Sequence, residues 1–265
     1  MNYICWISKF FDKSHDYVFI TGASSGIGYE YLRKFAAEGC NCIVLANEEL
    51  IFDVAKTVSA EFKVKVMPIL LDLSDIDALL ATTEMLKKYK ISVLINNAGF
   101  GYKGLLLDMA PELIVKMVNV NSIAPTLVAN AIVPNMRAMN KGLVISVATI
   151  NITTPIAKNC IYTASKFYTW AFSMAMREEN SDRQIFFQTL LPGTTDTPFH
   201  IKQGAKPNAL VMTAKSVADY SLENLHKPIC IPNKFDRFLF PIFTRLPVLT
   251  KMKIATKMLK SRLGV

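Results

Sequence analysis

The sequence predicts an α/β protein, a parallel sheet with helices packed on both faces. Three observations carry this. Short apolar runs alternate with helical stretches of roughly ten or more residues. The runs are apolar at consecutive positions, as strands buried on both faces require. Each run then gives way to small, polar or glycine residues at its C-terminal end, where open α/β sheets bind ligands.

The first run is Tyr17-Val18-Phe19-Ile20. Thr21-Gly22-Ala23-Ser24-Ser25-Gly26-Ile27-Gly28 follows, and Tyr31, Leu32 and Phe35 then fall at helix spacing up to Gly39. Strand, glycine loop and helix make the context of a phosphate-binding turn. Glycines permit the tight turn, and the helix N-terminus offers N–H groups and partial positive charge to a pyrophosphate. The spacing is G-x-x-x-G-x-G rather than G-x-G-x-x-G.

Cys42 to Leu45 reads as the second strand, ending in Ala46-Asn47 with Glu48 and Glu49 beyond. A helix fits 49–62 and a third strand 64–71, ending at Asp72. Ser74-Asp75-Ile76-Asp77 looks like a capping box, with Ser74 and Asp77 as the caps of a helix to about Tyr89. Strand four, 91–95, ends in Asn96-Asn97-Ala98-Gly99. One long helix is expected over 111–139, with the amide of Asn121 among Val118, Val120, Ile123 and Leu127. A buried amide needs partners, so Asn121 reads either as a satisfied core residue or as part of a site.

Strand five, 143–148, leads to Thr149. The next helix carries Tyr162 and, one turn on, Lys166, and extends to about Glu179. Residues at i and i+4 share a helix face, so phenol and ammonium point into one space, and the cation favours the phenolate. Alone, such a pair is better read as a solvated helix face. Strand six, 185–191, closes in Pro192-Gly193-Thr194-Thr195-Asp196-Thr197-Pro198. After a polar loop over 199–212, a helix fits 214–226 and a last strand 229–231.

Taken together, TGASSGIG at 21–28, Asp72, NNAG at 96–99, Asn121, Tyr162-x-x-x-Lys166 and PGTTDT at 192–197 resemble the short-chain dehydrogenase/reductase family. The resemblance spans about residues 15–232 in order and spacing. It implies a Rossmann-type doubly wound sheet of about seven strands in the order 3-2-1-4-5-6-7. It also implies an NAD(P)(H)-dependent oxidoreductase acting between a carbonyl and a secondary alcohol. Gly22, Ser24, Gly26, Ile27 and Gly28 would line the pyrophosphate. Asp72 and Leu73 would contact the adenine, and Asn97, Ala98 and Gly99 would back the cofactor. Pro192, Gly193, Thr195 and Thr197 would clasp the nicotinamide end. Tyr162 would be the general acid or base. Lys166 would lower its pKa and hydrogen-bond the nicotinamide ribose. Asn121 would hold a water linking Lys166 to a proton relay.

Two positions depart from the family pattern. A serine is usual 13 residues before the tyrosine, and here that position is Thr149. Strand alternation puts the more conspicuous Ser146 on the opposite face. The threonine keeps the hydroxyl but adds a methyl and a stiffer χ1, which suits a narrower pocket or slower turnover. At the cofactor-choosing positions, Ala46 stands where NAD users carry Asp, and Asn47 where NADP users carry Arg. The missing acid favours NADP(H) over NAD(H), with Ser24, Ser25 and Asn47 as neutral hydrogen-bond partners, while Glu48 argues the other way.

The 265 residues suit one catalytic domain, 1–232, with an N-terminal arm over 1–15 and a C-terminal extension over 233–265. With 51% apolar residues the chain is globular. Five cysteines without metal spacing indicate a reduced, cytoplasmic protein and no metal site. No run is expected to cross a membrane, and MNYICWISKFFDK lacks the marks of a secretory signal. From Lys227 to the end lie nine Lys and Arg and one acid, so the rest of the net charge of +9 is about +1. With a nearly neutral domain and a basic tail, the high pI is no evidence for a nucleic-acid surface, and no nucleic-acid partner is expected.

In the extension, Phe235, Phe238, Leu239, Phe240, Ile242 and Phe243 cluster, and Val248, Met252, Ala255, Leu259 and Leu263 fall at helix spacing among lysines. Three readings stay open: a helix packed beside the cleft or in a subunit interface, peripheral contact with a membrane on its cytoplasmic side, or contact with an acidic acyl carrier. Ile150, Ile152, Ile156, Phe199 and Leu210 suggest a small apolar carbonyl or alcohol substrate, acyl, steroid-like or long-chain. His200 reads as an ordinary surface histidine. The resemblance implies a homodimer or homotetramer. The competing functions are a dinucleotide-binding sensor or scaffold and a membrane-surface interaction protein led by the extension.

Overall fold

The computed structural model describes residues 3–199 and 211–263, with side chains to residue 255. A seven-stranded parallel sheet is its centre. Its strands are β1 (Asp16–Thr21), β2 (Asn41–Ala46), β3 (Val66–Leu70), β4 (Lys90–Asn96), β5 (Gly142–Val147) and β6 (Ile185–Leu190), with β9 (Ile229–Cys230) at the edge. They lie in the order β3-β2-β1-β4-β5-β6-β9, the Rossmann-type arrangement expected. A separate two-stranded ladder, β7 (Thr195–Asp196) with β8 (Met212–Thr213), was not foreseen.

The consecutive apolar residues follow from burial on both faces. Val18, Ile20, Cys42, Val44, Val93 and Ile95 pack into one core layer, while Phe19, Ile43, Leu45, Leu94 and Val144 pack into the other. Successive side chains on a strand point to opposite faces, so both parities must be apolar here. Helices α1 (Tyr3–Phe10), α2 (Gly26–Ala37), α3 (Leu50–Phe62) and α8 (Ala214–Glu223) cover the first layer. Trp6 and Ile7 of α1 are fully buried there, so the N-terminal arm is part of the core. Helices α4 (Ile76–Leu86), α6 (Ala124–Met139) and α7 (Cys160–Glu179) cover the second, and α5 (Pro111–Val118) packs against α7.

Three expectations change. The cap of α4 is Asp75, whose carboxylate accepts from Ala78 N at 3.0 Å. Ser74 is unavailable as the cap because its N–H and hydroxyl both donate to Asp72 Oδ1, at 2.9 and 2.7 Å. The helix over 111–139 is not continuous: residues Asn119–Ile123 form a π-helical turn between α5 and α6. Pro125 explains the site of the break, because it cannot donate the bond that an α-helix would send to the Asn121 carbonyl. Finally, this stretch is long and apolar enough to cross a membrane. It is nevertheless a core helix, with Val128, Ile132, Val133 and Met136 packed beneath the sheet.

The extension forms two helices, α9 (Lys234–Arg245) and α10 (Val248–Leu263). Asn233 caps α9, its side-chain oxygen accepting from Phe235 N at 2.8 Å and Asp236 N at 3.2 Å.

Candidate active site

The C-terminal ends of β1, β2, β4, β5 and β6 open into one cleft of about 1510 Å³. Its phosphate end is built from glycine. Gly22 and Gly26 have φ of +67° and +58°, the left-handed region that side chains avoid. A methyl at Gly22 would stand 2.9 Å from Ala98 Cα, and one at Gly28 would stand 2.5 Å from Asn97 Nδ2. Gly26 opens α2, and Ser25 before it makes no side-chain cap. The first-turn N–H groups and the glycine backbone therefore form a cradle that fits a pyrophosphate.

Asn97 holds that cradle. Its amide donates to the carbonyls of Thr21 and Gly22, both at 3.0 Å. The Thr21 hydroxyl in turn accepts from Asn97 N and Ala98 N, each at 3.1 Å. The NNAG segment thus stitches the ends of β1 and β4 together, and Ala98 and Gly99 reach the cleft as backbone.

Ala46, Asn47 and Glu48 lie at the end of β2, beside Asp72 and Leu73 after β3, and all five line the cleft. Burial pushes the Asp72 carboxyl up, but the Lys116 ammonium and the Ser74 donors outweigh it and hold it below the usual range. Lys116 Nζ lies 2.7 Å from Asp72 Oδ2. Lys116 also lines the cleft and was missed from sequence; its place at helix spacing on α5 gave no signal.

At the other end, Tyr162 and Lys166 stand one turn apart on α7, and Thr149 follows β5. Lys166 is buried, its ammonium donating to Val147 O at 2.9 Å. Burial lowers its pKa to about 8. Burial also raises the Tyr162 phenol well above its ordinary value, and a hydrogen bond with the Thr149 hydroxyl pulls it partly back. The expected lowering of the phenol by the ammonium is not found: burial raises it, and only the Thr149 hydrogen bond opposes that. The Tyr162 ring lies 5.8 Å from that of Phe199. Ser146 is buried in β5, in register with Asn96, and does not line the cleft.

Asn121 sits in the π-turn, fully buried behind Gly99. Its amide clamps Phe100, accepting from Phe100 N at 3.1 Å and donating to Phe100 O at 2.9 Å. It also donates to Ser165 Oγ at 3.0 Å, and that hydroxyl donates to the Tyr162 carbonyl at 2.8 Å. Among the described residues no direct hydrogen bond joins Asn121 to Lys166. The Asn121 carbonyl, which Pro125 cannot serve, accepts from Thr169 Oγ1 at 3.3 Å. Ser165 and Thr169, one and two turns beyond Ile161 on the α7 face, are site-supporting residues the sequence did not mark.

The loop after β6 closes this end. Pro192, Gly193, Thr195 and Thr197 all line the cleft, and Thr195 Oγ1 donates to Gly193 O at 3.1 Å. The far wall is apolar, formed by Ile150, Ile156, Leu239, Phe240 and Phe243, with Ala255 of α10. Ile152, expected in this wall, is instead buried with Ala148, Leu191 and Ile231, because its short 3₁₀ turn aims it under the strand ends. His200 and Leu210 lie outside the described residues.

Residues 16–208 match the family model of short chain dehydrogenases. The human protein named "Inactive hydroxysteroid dehydrogenase-like protein 1" is 30% identical over 177 residues, 65% of this chain and 54% of that protein. The zebrafish (Danio rerio) very-long-chain 3-oxoacyl-CoA reductase-A is 28% identical over 178 residues, 65% of this chain and 56% of that one. This chain therefore spans little more than half the length of these relatives. Among solved structures, a short-chain dehydrogenase from Sphingobium yanoikuyae in complex with NADPH superposes with a TM-score of 0.79 at 26% identity. That match covers 88% of this chain and 96% of the other.

Proposed function

The chain belongs to the short-chain dehydrogenase family, and from that premise we propose that it is an NADP(H)-dependent reductase of apolar carbonyl compounds, working also as an alcohol dehydrogenase in reverse. The observation that carries this reading is one continuous cleft. It runs from the glycine cradle to Thr149, Tyr162 and Lys166 and ends in an apolar wall.

The cradle at Gly22, Gly26 and Gly28 would hold the pyrophosphate, with Ser24, Ser25 and Ile27 beside it. Asp72 and Leu73 would meet the adenine, and Gly99, Pro192, Gly193, Thr195 and Thr197 the nicotinamide end. The bound nicotinamide supplies the hydride in reduction and takes it in oxidation. Thr149 donates a hydrogen bond to the substrate oxygen, and Tyr162 gives that oxygen its proton. A phenol whose pKa burial has raised stays protonated at neutral pH, which suits reduction. The Lys166 charge supports the phenolate left behind, and its bond to Val147 fixes where that charge sits. Asn121 and Ser165 hold the backbone that aims Tyr162.

Cofactor choice follows from the end of β2. No carboxylate stands at Ala46 itself to repel a 2′-phosphate, while Glu48 lines the same corner and Lys116 is held by Asp72. The NADPH complex of the Sphingobium enzyme supports the same choice. The apolar wall and the acyl-CoA relative support a long-chain or similarly apolar substrate. Exposed Val115, Val118, Ile123 and Phe167, on neighbouring α5, π-turn and α7, support a homo-oligomer.

The human relative's name favours a second reading, a protein that binds dinucleotide without turning over. Against it, this chain keeps hydroxyl, phenol and ammonium together in the cleft. The deciding experiment is NADPH and NADH consumption across carbonyls graded by chain length, with Tyr162→Phe beside the parent. Turnover that rises with chain length and vanishes in Tyr162→Phe, at unchanged NADPH affinity, establishes the enzyme. Tight NADPH binding with no turnover on any carbonyl establishes the second reading.

A further inference from the structure

Helix α9 has two apolar faces, and only one of them is used by the fold. At 3.6 residues per turn, Leu239, Phe240 and Phe243 share the face that walls the cleft. Phe235, Phe238 and Ile242, three and four apart, form a second row turned to solvent. Phe238 is 70% exposed, and Leu249 at the start of α10 is 73% exposed. Val248 beside it is exposed as well. A cluster of this size on a water-facing helix pair marks a contact surface rather than scattered surface residues.

Charge identifies the partner. Lys234 and Arg245 bracket the row at the two ends of α9, and Lys253 follows on α10, all exposed. The chain from Lys227 onward holds nine Lys and Arg against the single acid Asp236, while the other 226 residues are almost neutral. Asp236 faces the other way, against Gly193 in the cleft. Exposed aromatic and aliphatic side chains flanked by the exposed cations Lys234, Arg245 and Lys253 match the interface of an anionic bilayer.

We propose that α9 and the first turn of α10 dock this protein on an anionic lipid surface, with the mouth of the cleft beside the contact. Phe235 belongs both to the exposed row and to the cleft lining, so the two are continuous. An apolar compound dissolved in the bilayer then reaches the cleft without crossing water. The docking stands on the surface itself, and only this route of entry rests on the apolar-substrate reading.

Vesicle flotation of the full chain tests the proposal. The vesicles are phosphatidylcholine alone and phosphatidylcholine with phosphatidylserine. The parent protein should float with the phosphatidylserine vesicles, remain behind with phosphatidylcholine alone, and be released by high salt. Phe238→Glu with Leu249→Glu should abolish flotation. Lys234→Gln and Arg245→Gln should each weaken it about fivefold. NADPH affinity and a thermal melt, unchanged in every variant, show that the fold is intact. Failure of the parent to float, or flotation of the doubly substituted protein like the parent, overturns the proposal. So does a dimer in light scattering that the double substitution dissociates without any flotation, which assigns the face to a second copy. NADPH consumption with a water-soluble carbonyl is read separately, so loss of docking and loss of the enzymatic reading are distinguishable.

Discussion

Gly99 lies directly against Lys166: a methyl at Gly99 would stand 3.0 Å from Lys166 Nζ, and equally 3.0 Å from Asn121 Oδ1. Neither neighbour is free to retreat. Lys166 is bonded to Val147 O, and Asn121 to Phe100 N. Gly99→Ala should therefore shift the ammonium or the clamp by a few tenths of an ångström. The expected result is a loss of roughly tenfold to a hundredfold in kcat, with destabilisation of about 1–2 kcal/mol. Steady-state turnover and denaturant unfolding check both. A fully active Gly99→Ala would mean that the position of Lys166 does not control the rate.

Thr149 presents its hydroxyl to Tyr162 and also accepts from Asn151 N at 3.5 Å, a long and weak bond. The hydroxyl is thus largely available to substrate. Thr149→Ala should lower kcat by roughly a hundredfold. Thr149→Ser keeps the hydroxyl and removes the methyl, so it should match or exceed the parent, most visibly on bulky carbonyls. Equal rates for Thr149→Ala and the parent would remove Thr149 from the mechanism.

Lys166 ties stability to pH. Its native pKa is lowered to about 8, against 10.5 for an ordinary lysine. Below about pH 8 both states hold the proton, and the full cost of burying the cation is present. Between about 8 and 10 the unfolded chain keeps a proton that the native state has given up. Stability therefore rises with pH in that window, by at most about 1.4 kcal/mol per unit. Above about 10 the raised Tyr162 phenol acts oppositely, since the native state then holds the extra proton. Unfolding of the parent and of Lys166→Met should be compared at about pH 7 and about pH 10. The parent should gain on the variant as pH rises; an unchanged difference would mean that Lys166 titrates as an exposed lysine.

The sheet was legible because burial on both faces leaves uninterrupted apolar strands, and their C-terminal ends announced the cleft. Thr149, Tyr162 and Lys166 were legible through the resemblance to the dehydrogenase family that their spacing and the other motifs carry. What spacing could not show was who holds them. Asn121 was marked as an amide in an apolar helix, yet its clamp on Phe100 needs the π-turn that Pro125 induces. Ser165 and Thr169 looked like ordinary small polar helix residues, and their roles depend on which helix packs opposite. Lys116 meets Asp72 across 44 residues of chain. Ser74 looked like a cap because the pattern fits, but Asp72 takes its donors first. The clustered aromatics of the extension were plain, whereas their division into a cleft-facing and a solvent-facing row required α9 to be placed.

The end of β2 offers the sharpest test of cofactor choice. Ala46 and Asn47 line the cleft next to Glu48, and Leu71 N donates to Ala46 O at 2.9 Å, which fixes this corner against the end of β3. A carboxylate introduced there cannot move away with its backbone. Ala46→Asp would face a 2′-phosphate with like charge, and would offer a ribose 2′-hydroxyl an acceptor instead. NADPH affinity should fall by roughly tenfold to a hundredfold while NADH affinity rises. Asn47→Arg should do the reverse, giving the 2′-phosphate a forked cation. Kd values for both nucleotides, from fluorescence titration of parent and variants, measure the ratio directly. If Ala46→Asp leaves the NADPH to NADH ratio unchanged, the 2′-phosphate does not sit at this corner, and Lys116 with Asp72 becomes the place to look for what selects the cofactor.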